Sequence, residues 1–148
     1  MSTKHQAAGY RQLVAWQKAD DLALAVFHLS GRLAQKYRWL ASQTSRAAVS
    51  VPANIAEGCC RGSFREYIHF LNIARGSLGE LEYYIHFMNR AALISDDERC
   101  QFEQLRKEAA SLLFLLIRSL RSKLGTEGTG GARSVRETAE IPYDPLTR

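Results

Sequence analysis

Glu66 and His69 stand three residues apart, the spacing at which one helix turn offers two ligands to a di-iron centre. Such a centre needs a second Glu-x-x-His pair and two further inward carboxylates, and the chain has a single pair, so no metal or other cofactor is expected. Gly76-Ser77-Leu78-Gly79 departs from the Gly-x-Ser-x-Gly order of a nucleophile elbow, which also needs a strand before it. The glycines from Gly125 onward lack the Lys-Ser/Thr ending of a phosphate-binding loop. Cys59, Cys60 and Cys100 are odd in number and form no Cys-x-x-Cys pair, which reads as free thiols in a reducing compartment.

One polar line survives this sorting. Arg46, Ser50, Asn54, Glu57 and Arg61 recur every three or four residues through a segment that carries Pro52 in its middle. A proline inside a helix removes a backbone hydrogen bond at a cost of about 3 kcal/mol, so such a segment needs compensation. With Glu80 and Glu82 on the next helix, the candidate group is Arg46, Asn54, Glu57, Glu80 and Glu82. The preferred reading is a buried polar network that fixes helix register. The alternative is a polar site for an anionic ligand; a small-molecule enzyme would need a pocket with perturbed titratable groups, for which Arg46, Glu57 and Glu80 are the only candidate. No nucleophile, base and orienting group stand together, so no enzyme is expected.

The elements that place these residues are helical throughout. Ala19, Leu22, Val26, Leu29 and Leu33 predict a first amphipathic helix over about 14–36. A second, about 40–60, is closed by Gly58 and Gly62. A Ser63-x-x-Glu66 capping box opens a third, 63–92, whose apolar seam from Phe64 to Ala92 alternates steps of three and four. Gly76 and Gly79 lie off that seam and are read as letting a neighbouring backbone approach. Ser95-x-x-Glu98 opens a fourth helix, about 96–124, with Asp96 and Asp97 at the positive end of its dipole. Its centre, Leu112 to Ile117, is apolar on every side. Assigning Phe102, Leu105, Ala109, Leu112 and Leu116 to the core leaves Leu113, Ile117, Leu120 and Leu124 as a surplus face expected to mediate self-association. The predicted fold is all-α, an up-down-up-down antiparallel four-helix bundle over 13–124, with a flexible 1–12 segment before it and a disordered 125–148 tail after it.

A chain of 148 residues fits one domain, and no apolar run approaches the roughly 20 residues of a membrane span. Met1 to Gly9 lacks the apolar core of a signal peptide, so a cytoplasmic protein is expected. The net charge is +5, and residues 1–124 hold 17 Lys and Arg against 11 Asp and Glu. Fifteen of the twenty basic residues are arginine, whose planar fork suits phosphate oxygens. Candidates for nucleic-acid contact are Arg11, Lys18, Arg32, Lys36 and Arg38 on and after the first helix, with Arg118, Arg121 and Lys123 near the end of the fourth. Such contacts would be mostly to phosphate and strongly salt-dependent. The rival reading is a scaffolding homo-oligomer whose partner is a protein.

The chain also resembles the bacterial four-helix bundle proteins known as ribosomal-RNA intervening-sequence proteins, over roughly Tyr10 to Leu124. The likeness is carried by Leu13-x-x-Trp16-Gln17-Lys18-Ala19 and by Ser42-Gln43-x-x-Arg46-Ala47-Ala48-x-Ser50-Val51-Pro52-x-Asn54-Ile55-Ala56-Glu57-Gly58, followed by Arg61. Gly76-Ser77-Leu78-x-Glu80-Leu81-Glu82 adds to it, while Lys36-Tyr37-Arg38-Trp39 departs from the acidic, glycine-containing loop frequent in the family. The resemblance implies an up-down-up-down bundle assembled into homopentameric rings, with no enzymatic activity. Some members are encoded within inserted segments of large-subunit ribosomal RNA genes. A related group, similar in fold, serves as the accessory protein of diversity-generating retroelements and binds reverse transcriptase and nucleic acid.

Overall fold

The computed structural model describes residues 9–127. They form four helices, α1 (Val14–Arg32), α2 (Arg38–Cys59), α3 (Phe64–Arg90) and α4 (Asp96–Glu127), with short 3-10 turns at Tyr10–Gln12 and Gln35–Tyr37. No strand occurs among the described residues. Each helix packs on its chain neighbours, and α1 closes the ring of helices against α4, which gives the antiparallel four-helix bundle that the periodicity predicts.

The helix ends are written locally. Ser63 accepts the Glu66 backbone N–H at 3.2 Å, and its own hydroxyl donates to the Glu66 carboxylate at 3.0 Å. At the start of α4, Ser95 accepts the Glu98 N–H at 3.1 Å while its backbone N–H donates back to the Glu98 carboxylate at 3.0 Å, a complete capping box. Helix α3 stops two residues earlier than the seam suggests. Ala92 takes a left-handed conformation, φ 56°, and the Leu93 N–H reaches back to the Met88 carbonyl at 2.9 Å. This is a Schellman turn with alanine in the place where glycine is usual, so Ala92 is exposed rather than part of the core. Helix α1 ends at Arg32 instead of near 36, because Leu33 turns extended and Gln35–Tyr37 form a separate turn.

The core is a single layered cluster. Leu22 and Val26 from α1 meet Leu40, Val51 and Ile55 from α2, and Leu71, Leu81, Ile85 and Met88 from α3. From α4 the buried residues are Phe102, Ala109, Leu113, Ile117 and Leu120, with Leu124 half-buried against them. This corrects the expected self-association face: Leu113, Ile117 and Leu120 fill the core of one chain and offer nothing to a partner, and much of Leu124 is likewise taken up. The physical reason is Arg106. It occupies a core position at 4% exposure, within the stripe 102, 106, 109, 113, 117 and 120. A charged residue there makes the true stripe look broken, while the neighbouring line through Leu105, Leu112 and Leu116 looks continuous. Arg106 is tolerated because its guanidinium is held by Glu103 at 2.9 Å, one turn back, and by Glu82 of α3 at 3.3 Å.

The expected flexible segment at 1–12 is described only from Gly9, where Tyr10 packs edge-on against Trp16 with ring centroids 5.1 Å apart. Of the expected tail at 125–148, residues 125–127 continue α4 and the rest lies outside the described residues. No described helix is long and apolar enough to cross a membrane.

Candidate functional site

The α2/α3 pair carries the polar line, and a serine–serine hydrogen bond joins its two helices. The Ser77 hydroxyl donates to Ser50 Oγ across the helices at 2.9 Å. The Asn54 amide donates to the Ser50 carbonyl at 2.8 Å and to Ser50 Oγ at 3.0 Å, so it braces the turn that holds Pro52. Pro52 itself is buried, which supplies packing in place of the backbone bond it removes. Below this level the helices converge on Gly58. A Cβ there would stand 2.7 Å from a Tyr67 ring carbon and 3.0 Å from Phe70 Cβ, so only glycine fits the crossing. Tyr67 is pressed into the same crossing beside Cys59 and Cys60, and its burial pushes the phenol pKa well above the ordinary range.

The expected five-member network is not one network. Asn54 serves Ser50, Glu57 pairs with Arg61 in the turn just after its own helix, Glu80 accepts the Tyr84 hydroxyl at 2.9 Å, and Glu82 turns to the opposite side to reach Arg106. Arg46 is exposed and makes no hydrogen bond or ion pair among the described residues. The bond to Glu80 raises the Tyr84 pKa, and nearby Arg46 opposes that shift. The buried ion pair predicted for α2 and α3 therefore exists between α3 and α4 instead, around Arg106, the residue that reading the sequence misses. A capping-box pattern cannot reveal it; the signal is Glu103-x-x-Arg106 inside an otherwise apolar stripe.

Above the serine bridge lies a shallow groove of about 560 Å³ lined by Gln43, Arg46, Val49, Ser50, Ser77 and Glu80 among others. It is open, and only Arg46 and Glu80 bring charge to it. Its outer rim is periodic. On α3, Ile73, Gly76, Glu80, Tyr83 and Phe87 are all exposed and step by three and four; on α2, Trp39, Arg46, Val49, Ala53 and Glu57 run beside them. Trp39 and Tyr83 are each 59% exposed, and Phe87 touches both rings, at 6.4 and 6.2 Å between centroids. A Cβ added at Gly76 or Gly79 would meet nothing within 4 Å, so no described backbone of the same chain approaches them, contrary to the expected use.

The antiparallel order sorts the basic candidates onto two ends. Arg11, Lys18, Arg118, Arg121 and Lys123 lie toward the end where α1 and α3 start. Arg32, Lys36 and Arg38 lie at the other, about 33 Å away along the 22 residues of α2. Arg32 is committed to Glu98 at 2.7 Å and Lys18 to Glu108 at 3.6 Å. The first end gains two arginines absent from the candidate set, Arg61 and Arg65. Cations and rings are interleaved there: Arg61 lies over Phe70 at 4.7 Å, Arg11 over Tyr10 at 5.7 Å and Lys123 over Phe64 at 6.0 Å. Arg65, Arg118 and Arg121 are exposed and make no ion pair among the described residues. At the opposite end Asp96, Asp97 and Glu98 offset the cations. Glu66 and His69 are both exposed, and no group of three potential metal ligands occurs among the described residues.

Comparison with known proteins places this geometry. The family model described as 23S rRNA-intervening sequence protein matches residues 11–117, a span that reaches into all four helices. Among solved structures, the crystal structure at 1.70 Å of a protein of unknown function from the S23 ribosomal protein family of Bacteroides thetaiotaomicron is similar, with a TM-score of 0.67 and 25% identity. The match covers 70% of this chain and 98% of that one. None of the curated proteins compared with the chain matches it.

Proposed function

Because the chain belongs to the 23S rRNA-intervening sequence protein family, we propose that it is a non-enzymatic, cytoplasmic bundle protein that assembles into a homo-oligomeric ring, pentameric as the family resemblance implies. It binds nucleic acid, or a nucleoprotein, through the basic end of the bundle. The observation that carries this reading is the interleaving at that end: Arg61 and Lys123 over phenylalanine rings, with Arg65 and Arg121 exposed and unpaired among the described residues. Unpaired arginines supply phosphate contacts, and flat rings beside them suit unstacked bases. Binding of this kind is led by phosphate, so it is weakly selective for sequence.

Titrating short RNA and DNA strands against the full chain at several salt concentrations tests it. The expected result is an affinity that falls linearly on logarithmic axes, by roughly 0.7–0.9 per phosphate contact. The double variant Arg65→Glu with Arg121→Glu is expected to lose most binding at unchanged thermal stability, because neither side chain has a partner to lose among the described residues. No binding of either strand at low salt would overturn the nucleic-acid reading and favour a scaffold with a protein partner.

A further inference from the structure

Two faces of the bundle repeat the spacing of a packed seam without having anything packed on them. One is the α2/α3 rim, where Ile73, Gly76, Glu80, Tyr83 and Phe87 recur at steps of three and four, all exposed. The other is the outside of α4, where Lys107, Ser111, Phe114 and Arg118 recur at the same steps, also exposed. Steps of three and four are what knobs-into-holes contact between helices requires. Phe114 and its neighbour Leu115 are 50% and 54% exposed, large apolar side chains on a helix face that is otherwise polar.

We propose that the α2/α3 rim receives the outer ridge of α4 from a second copy of this chain. The inference rests on the homo-oligomer reading above and assigns the two surfaces that meet. The shapes are opposite: a knob at Phe114, and a rim whose middle is floored by the small residues Ala53 and Gly76, both exposed, with open space above Gly76. Single charges also find partners: the α4 ridge brings Lys107 and Arg118, and the rim brings Glu80 and Glu57, with Arg46 as its one cation unpaired among the described residues. The exposed face of α4 between Gln104 and Ser122 holds Lys107, Arg118 and Arg121, and its one carboxylate, Glu108, is already engaged by Lys18 and Gln104.

The spacing matches along the axis. Ser50 and Ser77 share one level, Glu80 lies three residues from it toward one end, and Glu57 lies seven residues from it toward the other. That separation of ten residues is about 15 Å, and Lys107 and Arg118, eleven apart, are about 16 Å apart. With like-oriented copies, Lys107 meets Glu80, Arg118 meets Glu57, and Phe114 comes down over Ala53 and Gly76. Each carboxylate has an oxygen to spare, since Tyr84 occupies Oε1 of Glu80 and Arg61 occupies Oε1 of Glu57. Unlike faces joined head to tail propagate into a closed ring or an open filament, not a two-fold dimer. The contact takes Arg118 out of the nucleic-acid set and leaves Arg61, Arg65, Arg121 and Lys123 at the basic end.

Native mass spectrometry of the full chain and of two exposed-site variants tests the assignment. Phe114→Glu spoils the ridge and keeps the rim; Ala53→Glu spoils the rim and keeps the ridge. Each alone is expected to be monomeric with an unchanged helical circular-dichroism spectrum. An equal mixture is expected to give a one-to-one dimer that grows no further, since only one good contact can form. Should the wild type be oligomeric and both variants stay so, the contact is wrong and the homo-oligomer reading stands. Dissociation of Ala53→Glu alone would replace the proposed contact by a symmetric one between two α2/α3 rims. A monomeric wild type at micromolar concentration would overturn the oligomer reading and the contact together.

Discussion

Gly58 on α2 lies directly beneath the Tyr67 ring of α3, with 2.7 Å between the nearest ring carbon and the point where a Cβ would stand. The two helices can cross at this depth only because position 58 has no side chain, and the Tyr67 ring is wedged there beside Cys59.

Gly58→Ala is therefore expected to destabilise the bundle by about 1–3 kcal/mol, the usual cost of overpacking, although alanine is the better helix former by about 1 kcal/mol. Gly79→Ala is the control. Nothing stands within 4 Å of its Cβ position, so it is expected to stabilise by up to about 1 kcal/mol. Urea unfolding of the two variants, compared at equal m-value, checks the opposite signs.

Arg106 separates the value of an ion pair from the cost of breaking one. Arg106→Ala leaves Glu103 without its main partner in a half-buried site and is expected to cost about 3 kcal/mol or more. Replacing Arg106 with Met and Glu103 with Gln together removes the two more buried charges while filling the volume, leaves Glu82 to face water, and is expected to be within about 1 kcal/mol of the wild type. Equal losses in both cases, measured by chemical denaturation, would show that the charge pair itself supplies net stability.

These two sites also show what was legible in the sequence. Number, order and antiparallel arrangement of the helices follow from the 3-and-4 spacing and from the Ser63 and Ser95 capping boxes, and the structure agrees. Which way α4 faces does not follow, because Leu112 to Ile117 is apolar all round and the tie is broken by a buried arginine that a hydrophobic pattern counts as surface. The same limit split the candidate site. Spacing put Arg46, Asn54, Glu57, Glu80 and Glu82 on nearby faces, but a carboxylate goes to whichever cation its rotamer reaches, and Glu57 and Glu82 reach Arg61 and Arg106. Trp39 on α2 and Tyr83 on α3 stand on different helices, and only the packed bundle shows that they share a rim against Phe87.

Acid is expected to loosen the start of α4 first. The Ser95 backbone N–H and then Arg32 hold the Glu98 carboxyl below its ordinary value of 4.5. A folded-state pKa below the unfolded one means a contribution fully present above about pH 4.5 and lost as the pH falls through the lower folded value. Glu98→Gln is thus expected to lower stability at neutral pH, with the gap from the wild type closing as the pH falls below 4.5 and through the lower folded value. Thermal melts of both proteins across that range test the sign.

The seam between α1 and α4 differs from the other three in kinetics. The α1/α2, α2/α3 and α3/α4 contacts each join consecutive helices, so each can zip up as a local hairpin within microseconds to milliseconds. Closing α1 on α4 instead bridges Arg32 to Glu98 across 66 residues and carries the entropy cost of a long loop. Because that seam is tied at its surface by Lys18–Glu108 and Arg32–Glu98, salt weakens it more than the apolar centre. The two helices that meet there, α1 and α4, are then the parts of the molecule most readily released, and amide exchange along them would be the first to quicken as ionic strength rises.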